Sequence, residues 1–199
     1  MKNLKCTVTG NNEIRVNNPQ SADSLNKYAK KIKALRAVKK KTDADEALLR
    51  NMEVESKLYF NDELGVWIPT TWIMAAVGKL AFKQIKVSKA DIRGGVFVNG
   101  TKIKLNYHDM DKVKKIEDLV LNPFFRSTEL LKQGMVKVPK SIPTFTNWSF
   151  DIDLDFDEEV ITEIEIERIL KLAIERHGFG DFRPTYGRGV MSNLIIIDI

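Results

Sequence analysis

Residues Trp148 to Phe156 alternate strictly, with Phe150, Ile152, Leu154 and Phe156 on one side and Asp151, Asp153 and Asp155 on the other. On a helix that pattern would wrap charge around the core, so it predicts a strand with one buried and one solvated face. Such a strand needs antiparallel neighbours and a layer over its apolar side. Leu4, Cys6 and Val8 alternate likewise and supply a first strand, and Leu194 to Ile199 reads as a buried closing strand.

Between these strands the spacing turns helical. Leu25, Tyr28, Ile32, Leu35 and Val38 form one apolar stripe, and Thr42-Asp43-Ala44-Asp45 is a capping signal for a second helix ending near Met52. Val54 to Phe60 and Val66 to Ile68 read as a hairpin. After Pro69, Thr70 or Thr71 caps an apolar helix through Phe82, whose Ala75, Ala76, Gly78 and Ala81 let it lie close to a sheet. Val96 to Val98 and Lys102 to Leu105 flank Asn99-Gly100, a second hairpin signal. Gln133 to Pro139 forms a strand, and Ile161 to His177 is an amphipathic helix that Gly178 ends. The order predicts an α+β fold of the ferredoxin-like kind, an antiparallel sheet with helices on one face. One domain, 1–199, carries a helical insertion at about 22–52.

The 199 residues are 43% apolar and 30% charged, enough for a core and unlike a disordered chain. No apolar run approaches ~20 residues, which excludes a membrane span, and MKNLKCTVTG lacks the apolar stretch of a secretory signal. The single cysteine, Cys6, excludes disulfides, fits a reducing, cytoplasmic setting and reads as core. With it, two histidines are too few for a Cys/His zinc site. No cofactor motif is present.

Basic residues exceed acidic ones by five, unevenly. Lys27 to Lys41 holds eight basic residues and no acidic one; Asp151 to Glu167 holds nine acidic residues and no basic one. Such polarity steers a charged partner. Lys27, Lys30, Lys31 and Lys41 share the outer side of their helix and suit phosphates, or serve solubility alone. Asp151, Asp153, Asp155 and Asp157 echo a calcium loop, but Phe156 stands at the turn glycine and Thr162 at the bidentate glutamate. The alternation makes them a strand with an acidic outer face; a divalent ion across two of them is a minor reading.

The densest constellation is His177-Gly-Phe-Gly-Asp-Phe-Arg-Pro-Thr-Tyr-Gly-Arg-Gly189. Gly178, Gly180, Gly187 and Gly189 permit unusual φ values and close backbone approach. Arg183 and Arg188 offer guanidinium forks to phosphate, while Phe179, Phe182 and Tyr186 can stack on bases. It lacks the G-x-x-x-x-G-K-[ST] of a P-loop. The competing reading is a structural loop in which Asp181 pairs with Arg183. His177 ends a helix, where the dipole favours an imidazolium. As a general base it would activate a 2′-hydroxyl in a metal-independent ribonuclease. His108 reads as surface.

Trp67-Ile-Pro-Thr-Thr-Trp-Ile-Met-Ala-Ala-Val-Gly-Lys79, together with the late glycine-rich loop, resembles the CRISPR-associated RAMP superfamily. Over roughly residues 20–199 the chain is also similar to a group of bacteriophage proteins. That likeness rests on Lys41-Thr-Asp-Ala-Asp-Glu46, Ile68-Pro69, Pro143 to Trp148 and Gly178 to Arg188. The RAMP resemblance implies an RRM-like ferredoxin fold, RNA binding with the glycine-rich loop on the backbone, and side-by-side assembly along a strand. Asp181-Phe-Arg-Pro184 departs from typical RAMP loops, and no catalytic histidine is carried over.

The expectation is a non-catalytic protein that binds single-stranded RNA or DNA. Arg183, Arg188, Tyr186 and Phe182, with Phe179, Gly180 and Gly187, form its loop, and Lys27, Lys30, Lys31 and Lys41 add nonspecific attraction. The alternative is a phage factor that binds a host or virion protein through the acidic strand and exposed tryptophans.

Overall fold

The computed structural model describes residues 1–199, except the side chains of Phe82 and Gln133. Along the chain run β1 (Lys2–Gly10), β2 (Ile14–Arg15), α1 (Lys27–Ala37), α2 (Asp43–Lys57), β3 (Phe60–Asn61), β4 (Gly65–Pro69), α3 (Thr71–Leu80) and α4 (Lys89–Gly95). Then come β5 (Val96–Val98), β6 (Lys102–Lys104), α5 (Ile116–Val120), β7 (Arg126–Gln133), β8 (Val136–Phe145), β9 (Ser149–Phe156), α6 (Glu163–Leu172) and β10 (Gly189–Asp198). The fold is mixed α+β with antiparallel sheets. Its contacts divide it into two compact units, one of residues 1–14, 66–108 and 146–199, the other of 15–65 and 109–145. The stretch 22–52 lies in the second unit, which extends it on both sides and adds a later segment.

The first unit is built on a four-stranded sheet ordered β10-β1-β9-β5, antiparallel throughout. Leu4 pairs with Leu154, Cys6 with Ile152 and Val8 with Phe150, which puts both alternating stripes on one face. All six are buried, each apolar side chain contributing about 1.5–3 kcal/mol. Burial pushes the Cys6 thiol up to about 12, with Asp151 adding to it, so it stays a protonated core group. α3 and α6 pack on each other with Ile73, Ala76, Val77 and Leu80 of one and Ile166, Ile169 and Leu170 of the other buried. Trp148 stacks on Phe150 at 5.6 Å, and its indole N–H donates to the Asn12 carbonyl at 2.7 Å. A Cβ at Gly10 would fall 2.3 Å from that indole, so only glycine fits there.

The second unit pairs β7 with β8, from Arg126↔Pro143 to Gln133↔Val136, and packs α2 on β8 and α1 on α2. The buried Glu53 carboxylate accepts from the Ser141 N–H at 2.8 Å and from Arg36 at 2.5 Å. Arg15, also buried, pairs with Glu129 at 2.8 Å.

Five sequence expectations are corrected. Gln133 to Pro139 is not one strand: β7 ends at Gln133, Gly134 turns the chain at φ +62°, and β8 begins at Val136. β5 and β6 exist but do not pair with each other: β5 joins β9 and β6 joins β4. Asn99-Gly100 therefore turns the chain from one sheet to another, with Gly100 at φ +74°. Val54–Phe60 is not a strand; α2 runs on to Lys57, because extending a helix adds one hydrogen bond per residue while a new strand must find partners. The closing strand is a sheet edge rather than buried, with Val190, Ile195 and Ile197 exposed. Thr70 precedes α3 but makes no side-chain cap, its hydroxyl donating instead to the Gly100 carbonyl. Among the described residues, no helix is long and apolar enough to cross a membrane.

Candidate functional site

α3 buries Ile73, Ala76, Val77 and Leu80 on one face, which leaves Lys79 on the exposed side. It runs into a π-helical turn, Ala81–Ile85, where Lys83 is also exposed. α6 starts at a capping box in which Thr162 and Glu165 satisfy each other's backbone N–H groups. It too ends in a π-helical turn, Ala173–His177, stopped by Gly178 at φ +72°. π-turns widen the helix and recur at functional sites. Here Lys83 and Gln84 from one, Arg176 and His177 from the other, with Lys79, Leu80, Arg183 and Pro184, line a cleft of about 390 Å³. Its charged lining is cationic throughout.

His177 Nδ1 lies 2.9 Å from the Gly178 carbonyl oxygen, a hydrogen bond that requires the proton on Nδ1. Burial lowers the pKa of this ring, and the positive charges of Arg183, Lys79 and Lys83 lower it further; the Gly178 carbonyl opposes them. The imidazolium expected from the helix dipole is therefore disfavoured in the unliganded protein. His108 is exposed.

The glycine-rich loop is bound tightly to the start of the chain. Gly187 N–H donates to the Glu13 carbonyl at 2.9 Å and its own carbonyl accepts from Phe179 N–H at 2.9 Å. Asn12 grips both sides, its side-chain amide donating to the Thr185 carbonyl at 2.8 Å and its oxygen accepting from Arg188 N–H at 3.1 Å. Gly187 has φ +74°, and a Cβ there would fall 1.8 Å from the Phe179 oxygen. Gly180 also has positive φ, whereas Gly189 does not. This lacing leaves Arg183 and Arg188 exposed, with no carboxylate within 4.0 Å among the described residues. Arg183 lines the cleft; Arg188 does not.

The aromatic residues fare differently. Phe179 is 0% exposed and meets Phe150 edge-on at 5.4 Å, so it is a core anchor, not a stacking platform. Phe182 and Tyr186 are half-buried and pack edge-to-face at 6.5 Å, outside the cleft lining. The tryptophans are not an exposed surface: Trp148 is buried, and Trp67 and Trp72 are half-buried.

Lys27, Lys30 and Lys31 are exposed on α1, in the second unit. Lys27 sits 4.8 Å from the Tyr28 ring centroid. Lys41 is drawn back, its ammonium donating to the Arg36 and Val38 carbonyls at 3.3 and 3.2 Å, where it caps the end of α1.

The acidic ladder lies on the outer face of the first unit's sheet and is satisfied from β1. Asn3 donates to Asp153 and Asp155 at 2.7 Å each, Thr7 to Asp151 at 2.8 Å, and Lys5 stands 3.3 Å from Asp153. Burial pushes the Asp153 carboxyl up, but hydrogen bonds from Asn3, Asn99 and Lys5 outweigh it and hold it below its usual value. No group of three or more His, Cys, Asp and Glu is placed to hold a metal among the described residues.

Sequence reasoning missed Lys79, Lys83 and Arg176. The available signal was a pair of lysines four residues apart leaving an otherwise apolar helix, beside a basic residue closing another.

No family model matches the chain, and no curated protein matches it. Among solved structures it is similar to a chain in the cryo-EM structure of the type III-B Cmr-beta bound to cognate target RNA. The TM-score is 0.54 at 10% identity, over 99% of this chain and 61% of that one. The likeness is one of fold, and this chain spans less than two thirds of its neighbour's length.

Proposed function

We propose that this protein binds single-stranded nucleic acid, RNA or DNA, without cutting it, along the cationic cleft of its first unit. The observation that carries this reading is the cleft itself, where Lys79, Lys83, Arg176 and Arg183 converge with no carboxylate in the lining. Cations gathered in a concave site attract a polyanion more strongly than the same charges spread over a surface. Two further observations support it. With β4, α4 and β6 set aside as additions, the first unit runs β1-α3-β5-β9-α6-β10 with its sheet ordered β10-β1-β9-β5, which reads as the ferredoxin-like order of RRM and RAMP domains. The structural neighbour comes from an assembly bound to target RNA. The acidic outer sheet face repels phosphate, which directs the strand to the helical side.

Binding of labelled single-stranded RNA and DNA at two salt concentrations tests this. Each phosphate neutralised adds about −0.7 to the slope of log affinity on log salt. The double variant Lys83→Glu/Arg183→Glu is expected to lose roughly 100-fold at low salt and to flatten that slope by about 1.4. Unchanged affinity would refute the cleft, and shortened product on a gel would refute the non-catalytic part.

A protein-interaction role has one observation in its favour, the edge strand β10 with Val190, Ile195 and Ile197 exposed. Wild-type protein that binds neither RNA nor DNA would turn attention there.

A further inference from the structure

Lys79 and Lys83 line a second cavity as well. It lies between α3 and α4, holds about 520 Å³, and differs in chemistry from the first. Its apolar lining is Met74, Ala75 and Gly78 from α3 with Ile92 from α4, and its outer cations are Lys89 and Arg93. Gly78 borders it, where a Cβ would make ordinary contact with the Ile92 methyl at 3.9 Å. Ser88 caps α4 by accepting from the Asp91 N–H at 3.0 Å, which fixes the helix that carries Ile92.

An apolar recess rimmed by cations, two of which (Lys79 and Lys83) it shares with the cationic cleft, fits a ligand with a flat apolar part and a charged tether. A nucleotide within a chain is such a ligand. We infer that the α3–α4 cavity receives one unstacked nucleobase of the strand whose phosphates lie across Lys79 and Lys83. This rests on the proposed function and sharpens it. A base enters only if it is already unpaired, because flipping one out of a duplex carries a pairing and stacking penalty. The cavity thus gives the cleft, whose charges alone attract any polyanion, a preference for single strands. It applies to ribose and deoxyribose strands alike, since the recess addresses the base.

The test uses the full-length protein and fluorescence anisotropy with labelled strands of about 12 nucleotides, a usual site size for single-strand binders. RNA and DNA forms are each compared intact, with abasic positions, and as duplexes. Wild-type protein is expected to bind the abasic strand about tenfold more weakly than the intact one, with the same salt slope. Ala75→Leu, on an exposed position that leaves the core untouched, is expected to bind the intact strand as weakly as wild type binds the abasic one. Gly78→Leu should do the same, and the abasic comparison needs no variant if it folds poorly. Equal affinity for intact and abasic strands, or an unchanged Ala75→Leu, would overturn the base pocket. If wild type binds no strand, or binds without a salt slope, the cleft reading falls and the pocket with it. A normal salt slope with no abasic effect removes the pocket alone.

Discussion

Two basic regions of this molecule differ in how their charge is assembled. α1 gathers its lysines within a few turns of one helix and spreads them over an exposed face. The cleft of the first unit draws fewer cations, but from α3, from two π-turns and from the loop after α6, and it turns them toward one concavity. Charge density along a sequence and charge convergence in space are separate properties. The first attracts a polyanion weakly and is screened over about 8 Å at physiological salt. The second places several cations within reach of one or two phosphates and so sets register as well as attraction.

The sharpest way to break this contrast is to remove the scaffold from one side only. Gly187→Ala adds a Cβ at 1.8 Å from the Phe179 oxygen at a φ of +74°. We expect a loss of about 3 kcal/mol or more and a fall in Tm of roughly 10 °C. Gly100→Ala shares that φ but meets nothing within 4 Å, so it should cost only about 1 kcal/mol. Thermal melts of the two isolate the steric part. Equal melting temperatures would mean that the lacing of the loop does not hold the cleft.

Next in size is the lysine face itself. Lys27→Ala/Lys30→Ala/Lys31→Ala should weaken strand binding by about tenfold at low ionic strength and by less than about threefold near 0.15 M salt. The cleft variant Lys83→Glu/Arg183→Glu starts from a larger defect, so although its flatter slope narrows the gap it should still bind about tenfold or more weakly than wild type near 0.15 M salt. Anisotropy titrations at the two salts decide, and a lysine-face defect that persists at 0.15 M would reverse the ranking of the two regions.

The contrast also marks what could be read from residues. Alternation in β1 and β9 carried which face of each central strand is buried, and Thr42 with Asp45 formed the capping box that their spacing announces. These are local signals, fixed by neighbours a few residues away. Long-range choices were not visible. Asn99-Gly100 has the chemistry of a hairpin, yet which strands pair was decided by β9 competing for β5 and β4 for β6. Phe179 looked like a stacking residue because it stands among arginines and glycines; its ring is instead drawn inward against Phe150. Arg183 was legible as a candidate, but its companions Lys79, Lys83 and Arg176 were not. The two turns that bring them together depend on π-helical geometry that no residue pattern announces.

The smallest effect separates the cleft from α1 by a property the lysines lack, an imidazole whose titration lies below its ordinary value. In the folded, unliganded protein the His177 pKa is depressed below 6.5 by burial and by Arg183, Lys79 and Lys83. The unfolded chain therefore binds this proton more readily, so His177's contribution to stability falls as pH drops from 6.5 through the depressed folded value. A phosphate in the cleft reverses the balance: it offsets the neighbouring cations and favours the imidazolium, so binding takes up a proton. Stability and affinity should then move in opposite directions. Between pH 7.5 and pH 5.5 the free protein should lose a little stability, while strand affinity rises about twofold to fivefold, the worth of one partly exposed ion pair. His177→Gln should abolish the rise in affinity and leave binding at pH 7.5 close to wild type, with the α1 triple-lysine variant keeping the full pH response. An affinity that is flat with pH in the wild type, or a response that survives in His177→Gln, would place the phosphates away from this cleft.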